Sequence, residues 1–203
     1  MGGDVRAARP PGHRGGRVAG IDALALADQD RWARGDDDPE DRLLGWSDEA
    51  CTLSHLRALR AFLGTDAQAA LVLEDDVELA PDAPGLSAGT GWWPPPPHGL
   101  VKIEATHELP RLLGRLVGRT PSGRALRELC RWNGGAGAYL VDRDAARLVL
   151  EAGADLPMPI DHLLFNRVDS LVSRRLRPVQ VVPAMARQRL DRRGSDTEPT
   201  RVH

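Results

Sequence analysis

Short apolar runs bounded by turn residues alternate along this chain with segments whose apolar positions recur every three to four residues. Ala70–Leu73 is an unbroken apolar run that stops at Glu74-Asp75-Asp76. Such a run predicts a strand covered on both faces, as in a parallel sheet flanked by helices. Arg17–Ile21, Leu100–Glu104, Ala138–Val141 and Val179–Val182 predict further short strands. Leu53, Leu56, Leu59 and Leu63 share one helical face, and predict a helix capped by Ser47 and stopped by Gly64. Asp142 predicts the cap of a helix from Arg143 to Ala152, and Asp161 that of another running through Val168. Ala125–Trp132 fits a helix or a strand equally, and 105–123 reads as an irregular insertion. Pro81–Gly99, with Trp92 and Trp93 before the proline run Pro94–Pro97, reads as a semi-rigid flap or spacer. One folded domain is expected over 17–190, with 1–16 and 191–203 disordered. Strands alternating with helices imply an α/β fold with a mostly parallel sheet.

Composition narrows the class. The 203 residues suit one domain with a full core, and a net charge of −2 excludes an electrostatic nucleic-acid binder. Lys102 is the only lysine among 27 basic residues, which reads as a coding bias. Two cysteines, Cys51 and Cys130, make neither a disulfide framework nor a zinc site by count. No apolar stretch reaches the roughly 20 residues of a membrane-spanning helix, and no signal-peptide core is present. A soluble cytoplasmic protein is the expectation.

The chemistry concentrates at the acids. In open α/β sheets ligands bind beyond the carboxyl ends of the strands, where Glu74, Asp75 and Asp76 are predicted to sit. Clustered carboxylates repel one another, and a hard divalent cation that also takes diphosphate oxygens relieves the repulsion. The alternative is a solvated turn with one acid capping the next segment. On an extended strand Glu74 and Asp76 share a face, leaving Asp75 to bond the backbone. His55 follows Cys51 by one helical turn, so the two are either a metal-binding pair or, the favoured reading, a cysteine beside a packed histidine. Ser54 reads equally as an ordinary helix hydroxyl. Gly134, Gly135 and Gly137 either let a ligand approach the backbone or make a tight turn. Glu104 ends a strand and could pair with Lys102 or an arginine. Trp92 and Trp93 either stack on a sugar or pack in the core. Tyr139 reads as core.

Five segments in order resemble glycosyltransferase family 25, the lipooligosaccharide galactosyl- and glucosyltransferases. They are Ala50-Cys51-Thr52-Leu53-Ser54-His55; Leu71–Val77; Leu100–Glu104; Gly137–Val141 with Ala145 and Ala146; and Pro159-Ile160-Asp161, followed by Val182-Pro183-Ala184 and Gln188. The likeness spans roughly residues 17–190. Met1–Gly16 shows no counterpart of the Asn-Leu strand and Asp-Arg pair with which the family opens. The resemblance implies a GT-A-like nucleotide-sugar-binding fold and an inverting hexosyl transfer to a glycan or lipooligosaccharide acceptor. Its divalent cation, Mn²⁺ or Mg²⁺, would be held by Glu74, Asp75 and Asp76. Asp161 is the expected catalytic base and Glu104 the next candidate. Ser54, His55, Lys102 and Gly135 are the expected substrate-binding residues. Peripheral association with the inner face of a membrane accompanies this reading. The alternative is a truncated, non-catalytic remnant of the fold acting as a binding module. A magnesium-dependent phosphoryl-transfer enzyme is the weaker third, because no Gly-Lys-Ser/Thr phosphate loop is present.

Overall fold

The computed structural model describes residues 5–8, 16–26, 45–89, 91–105, 113–153 and 158–189. Ten strands are described: β1 Val5–Ala8, β2 Gly16–Val18, β3 Ala69–Glu74, β4 Val77–Leu79, β5 Leu100–Lys102, β6 Leu113–Arg119, β7 Ala125–Leu129, β8 Ala138–Asp142, β9 Val179–Val182 and β10 Ala186–Gln188. Eight form one sheet in the order β2-β1-β3-β8-β5-β9-β7-β6, and β10 pairs with β4 in a small second sheet. The helices are α1 Trp46–Leu63, α2 Arg143–Gly153, α3 Ile160–Phe165 and α4 Leu171–Leu176.

The α/β class holds, but the sheet is mixed and mostly antiparallel. Only β5 and β9 are parallel neighbours. An apolar run records burial, not direction, and direction here is set by the connections. Strand β8 lies antiparallel between β3 and β5. It follows that β3, β5 and β9 run the same way, so their carboxyl ends share one edge of the sheet. The chain enters β8 from that same edge.

Two apolar layers cover the sheet. On one face Leu56, Leu59 and Phe62 of α1 pack with Val72, Tyr139, Val141 and Val149, joined by Leu163 to Phe165 of α3. On the other face Val101, Ile103, Leu140 and Val181 pack with Ala83, Leu86 and Met185. Ala70 and Val72 are buried toward α1, whereas Leu71 and Leu73 are half-buried on the opposite face. The run is therefore not covered equally on both sides.

Several boundaries differ from the sequence reading. Helix α1 begins one residue before Ser47, after extended Gly45, with Asp48 and Glu49 in its first turn where the helix dipole favours acids. Asp142 does cap α2, accepting from Ala145 N at 2.7 Å. Helix α3 ends at Phe165, and Asp161 lies inside its first turn instead of capping it. Of the stretch 125–132, Ala125–Leu129 is strand β7, and the supposed irregular insertion contains β6. A strand, β1, occupies 5–8 within the segment expected to be disordered, and β10 follows β9. The tail 191–203 lies outside the described residues.

Candidate active site

Glu74, Glu104 and Asp161 border one glycine segment at the shared carboxyl edge, and Asp75 and Asp76 follow Glu74 directly. Strand β3 ends at Glu74, so Asp75 and Asp76 fall on the exposed turn into β4. Past the end of β5 stands Glu104, which is fully buried and accepts from Gly137 N at 2.8 Å. Asp161 reaches the same turn from α3, accepting from Gly135 N at 3.1 Å and from His162 N at 2.8 Å. A methyl group on Gly137 would stand 3.3 Å from Glu104 Oε1, 3.3 Å from Glu74 Oε2 and 3.1 Å from Val77. Glycine is needed there because the backbone passes between two carboxylates. Gly135 is in the left-handed region at φ 82°, which a side chain would strain. The segment turns the chain into β8, and its backbone approaches the protein's own acids closely.

Beneath the turn, Lys102 has no exposed surface. Its ammonium donates to the carbonyls of Asn133 (3.3 Å), Gly134 (2.7 Å) and Gly135, and stands 3.7 Å from Glu104 Oε2. It also lies 4.5 Å above the Phe165 ring. Burial pulls Lys102 below its ordinary value, with Glu104 opposing the shift. Burial likewise pushes Glu104 up, against the pull of Lys102. Glu104 Oε1 is buried without a hydrogen-bond partner among the described residues. Lys102 therefore ties the glycine turn down and offsets the nearby acid.

Glu74 is held from three sides. His55 Nε2 is 3.1 Å from Oε1, Gln188 Nε2 donates to Oε2 at 3.1 Å, and Cys51 Sγ lies 3.8 Å from Oε1. Burial raises the Glu74 carboxyl, but the bonds from His55, Gln188 and Cys51 outweigh it and hold it below its ordinary value. Asp76 behaves in the opposite way: partial burial, then repulsion by Glu74 and Asp75, push it up. Asp75 and Asp76 are both exposed at the turn, and their oxygens fit a hard cation that takes oxygen ligands. Glu74 is turned inward, and stands behind them instead of beside them.

The expected substrate-binding residues are mostly buried. Ser54 is 2% exposed and His55 and Lys102 are 0% exposed, leaving no surface for a substrate. Ser54 donates to Ala50 O at 2.6 Å and accepts from Ile21 N at 2.8 Å, pinning the 19–22 segment to α1. His55 links Glu74 to Tyr139, whose hydroxyl lies 3.0 Å from Nδ1. Gly135 is half-exposed and remains at the site. Sequence reasoning passed over the roles of Tyr139 and Gln188 around the acids. Gln188 stood in a recognised segment, but its partner depends on β10 folding back on β4, which no local pattern encodes.

Trp92 and Trp93 lie elsewhere. They help line an apolar cavity of about 570 Å³ with Leu71, Leu73, Leu86 and Leu140, and none of the five acids lines it. Trp92 Nε1 donates to Leu86 O at 3.1 Å, and the two indoles contact each other at 5.6 Å. At the acidic edge the aromatic surface is instead the exposed Trp132, packed on His162 at 4.7 Å between centroids, beside Gly134.

No protein-family model matches the chain, and no curated protein matches it at a significant level. Among the described residues no helix is long and apolar enough to cross a membrane.

Proposed function

We propose that this protein is an inverting, cation-dependent glycosyltransferase with a GT-A-like fold. It would move a hexose from a nucleotide diphosphate sugar, UDP-galactose or UDP-glucose, to a glycan acceptor in lipooligosaccharide or other surface-polysaccharide synthesis, working in the cytoplasm at the membrane's inner face. The observation that carries the reading is the meeting of Glu74, Glu104 and Asp161 at one glycine segment on the carboxyl edge of three codirectional strands, with Asp75 and Asp76 on the exposed turn that follows Glu74. The antiparallel β8 between β3 and β5 is compatible with a GT-A-type sheet.

Asp75 and Asp76 would hold the divalent cation, which when bound neutralises charge on the departing diphosphate. Asp161 is the base. Its oxygens each accept one backbone hydrogen bond, which fixes the carboxylate while leaving lone pairs free. The acceptor hydroxyl oxygen forms its bond to the anomeric carbon as the carbon–oxygen bond to the diphosphate breaks, and the hydroxyl proton passes to Asp161. Glu104, buried and committed to Lys102 and Gly137, serves to position the turn. Trp132, exposed beside that turn, offers a face for a sugar ring.

A second reading, a non-catalytic binding module of the same fold, draws on the burial of Ser54, His55 and Lys102. A screen of nucleotide sugars for hydrolysis with and without Mn²⁺ decides between them. Mn²⁺-dependent release of nucleoside diphosphate from one donor is expected, abolished by Asp76→Asn. Binding of a donor with no release, under any cation, would favour the binding module.

A further inference from the structure

A second cluster beside the acidic turn has the composition of a transition-metal site. Cys51 and His55 are four residues apart on α1, so their side chains leave the same face of the helix. That face meets the end of β3 at Glu74. Cys51 Sγ, His55 Nε2 and one Glu74 oxygen all lie within 4.8 Å of one another. The separations of 3.1 Å from Nε2 to Oε1 and 3.8 Å from Sγ to Oε1 can be set against a tetrahedral ion. Bonds of about 2.0 Å to nitrogen and oxygen and 2.3 Å to sulfur place such ligand atoms roughly 3.3 Å (nitrogen to oxygen) and 3.5 Å (sulfur to oxygen) apart, within about 0.3 Å of both separations. The side chains already stand at ligand spacing.

Two further features favour this arrangement over simple packing. Both His55 Nε2 and the Cys51 thiol converge on the same Glu74 oxygen, Oε1. A single ion in their place would satisfy all three groups at once. Secondly, His55 Nδ1 is 3.0 Å from the hydroxyl of Tyr139, which has no exposed surface. A metal-bound imidazole needs such a partner on its other nitrogen to fix the tautomer and the ring orientation.

We propose that Cys51, His55 and Glu74 form a three-ligand site for a zinc-like transition metal, with its fourth position open to solvent. On binding, the Cys51 proton leaves to solvent, and Nε2 of His55 gives its lone pair to the ion while Nδ1 carries the ring proton facing Tyr139. Thiolate, carboxylate and divalent ion then sum to neutral. Cys51 is only partly buried and Glu74 retains 19% side-chain exposure, which gives the ion a way in. Sulfur and imidazole ligands select zinc-class ions over Mg²⁺ and Mn²⁺. The site is distinct from the hard-cation site at Asp75 and Asp76 and does not rest on the transferase reading.

The test is titration of the full chain, freed of metal by a chelator, with Co²⁺ followed by Zn²⁺. One Co²⁺ per chain should bind with the intense visible bands of a tetrahedral ion and a thiolate charge-transfer band in the near ultraviolet. Zn²⁺ should displace it and a large excess of Mg²⁺ should not. Cys51→Ser, close to isosteric, should lose the charge-transfer band, and Tyr139→Phe should weaken Zn²⁺ binding about 10- to 100-fold. Asp76→Asn should leave the spectrum unchanged. A weak octahedral spectrum in the parent, or the same bands in Cys51→Ser, would overturn the proposal.

Discussion

Lys102 and Glu104 leave water together, and neither is tolerable alone. Both are fully buried, 3.7 Å apart, with the lysine also spending its protons on the carbonyls of the glycine turn. Removing one member of a buried pair strands the other charge, at a cost of about 3–5 kcal/mol. Lys102→Met should therefore lower unfolding stability by that order in denaturant titrations. The loss should shrink as pH falls, because the stranded Glu104, already pushed up by burial, takes a proton. An undiminished loss at acid pH would show that packing, not charge, is responsible. Asp161 poses a functional question instead. If it accepts the acceptor's proton, Asp161→Asn should cut turnover by about 10²- to 10⁴-fold. Stability should fall by about 1 kcal/mol, because the single amide oxygen keeps one of the two backbone N–H bonds and the other is lost. At this scale the sequence made the acids legible, because Glu74 to Asp76 interrupt an apolar run. A packed His55 was the favoured reading, but its partner was not legible, and neither was the burial of Lys102. Each is polar by type and buried through partners, Tyr139 and the 133–135 carbonyls, that lie far along the chain.

At the scale of elements, the junction of β8 and α2 depends on a contact that a methyl group would break. Asp142 caps α2 with its side chain while its own N–H donates to Gly99 O at 2.9 Å. A Cβ on Gly99 would fall 2.7 Å from one Asp142 oxygen and 2.8 Å from the other. Asp142→Ala should cost about 1 kcal/mol, the usual worth of an N-cap. Gly99→Ala should cost at least as much in the same melt, since it displaces the cap and strains the strand; a neutral effect would mean that the carboxylate swings aside freely. Local signals of this kind were readable: the acid at 142 marked the helix start correctly. Strand β6 was not. Its sequence, Leu113 to Arg119, alternates glycine and arginine with apolar residues on a largely exposed edge of the sheet. An edge strand needs no continuous apolar run, so its pattern looks like loop.

For the molecule as a whole, the unequal electrostatics of the acidic edge predict how stability responds to cation and pH. Asp76 is raised by burial and by Glu74 and Asp75, so its folded form takes up a proton more readily than the unfolded chain does. Its contribution lowers stability as pH rises from the ordinary carboxylate range through the folded value. Glu74 is lowered, and its stabilising contribution is lost as pH falls through its folded value. A cation bound at Asp75 and Asp76 needs ionised oxygens, so Mn²⁺ should raise the melting temperature near pH 7 and far less near about pH 4. An equal shift at both pH values would place the ion elsewhere. The α/β class was legible from alternating segments, whereas the strand directions were not, because they belong to the wiring of the chain. That wiring also dictates a timetable. Strand β3 is completed early but joins β8 only after roughly 60 further residues have been added, several seconds at typical synthesis rates of 5–20 residues per second. Until then only β1, upstream of it, is at hand as a partner. The nascent chain thus leaves one edge of its most apolar strand uncovered on the ribosome, and slowing translation over 75–137 should increase aggregation and chaperone demand without altering the finished protein.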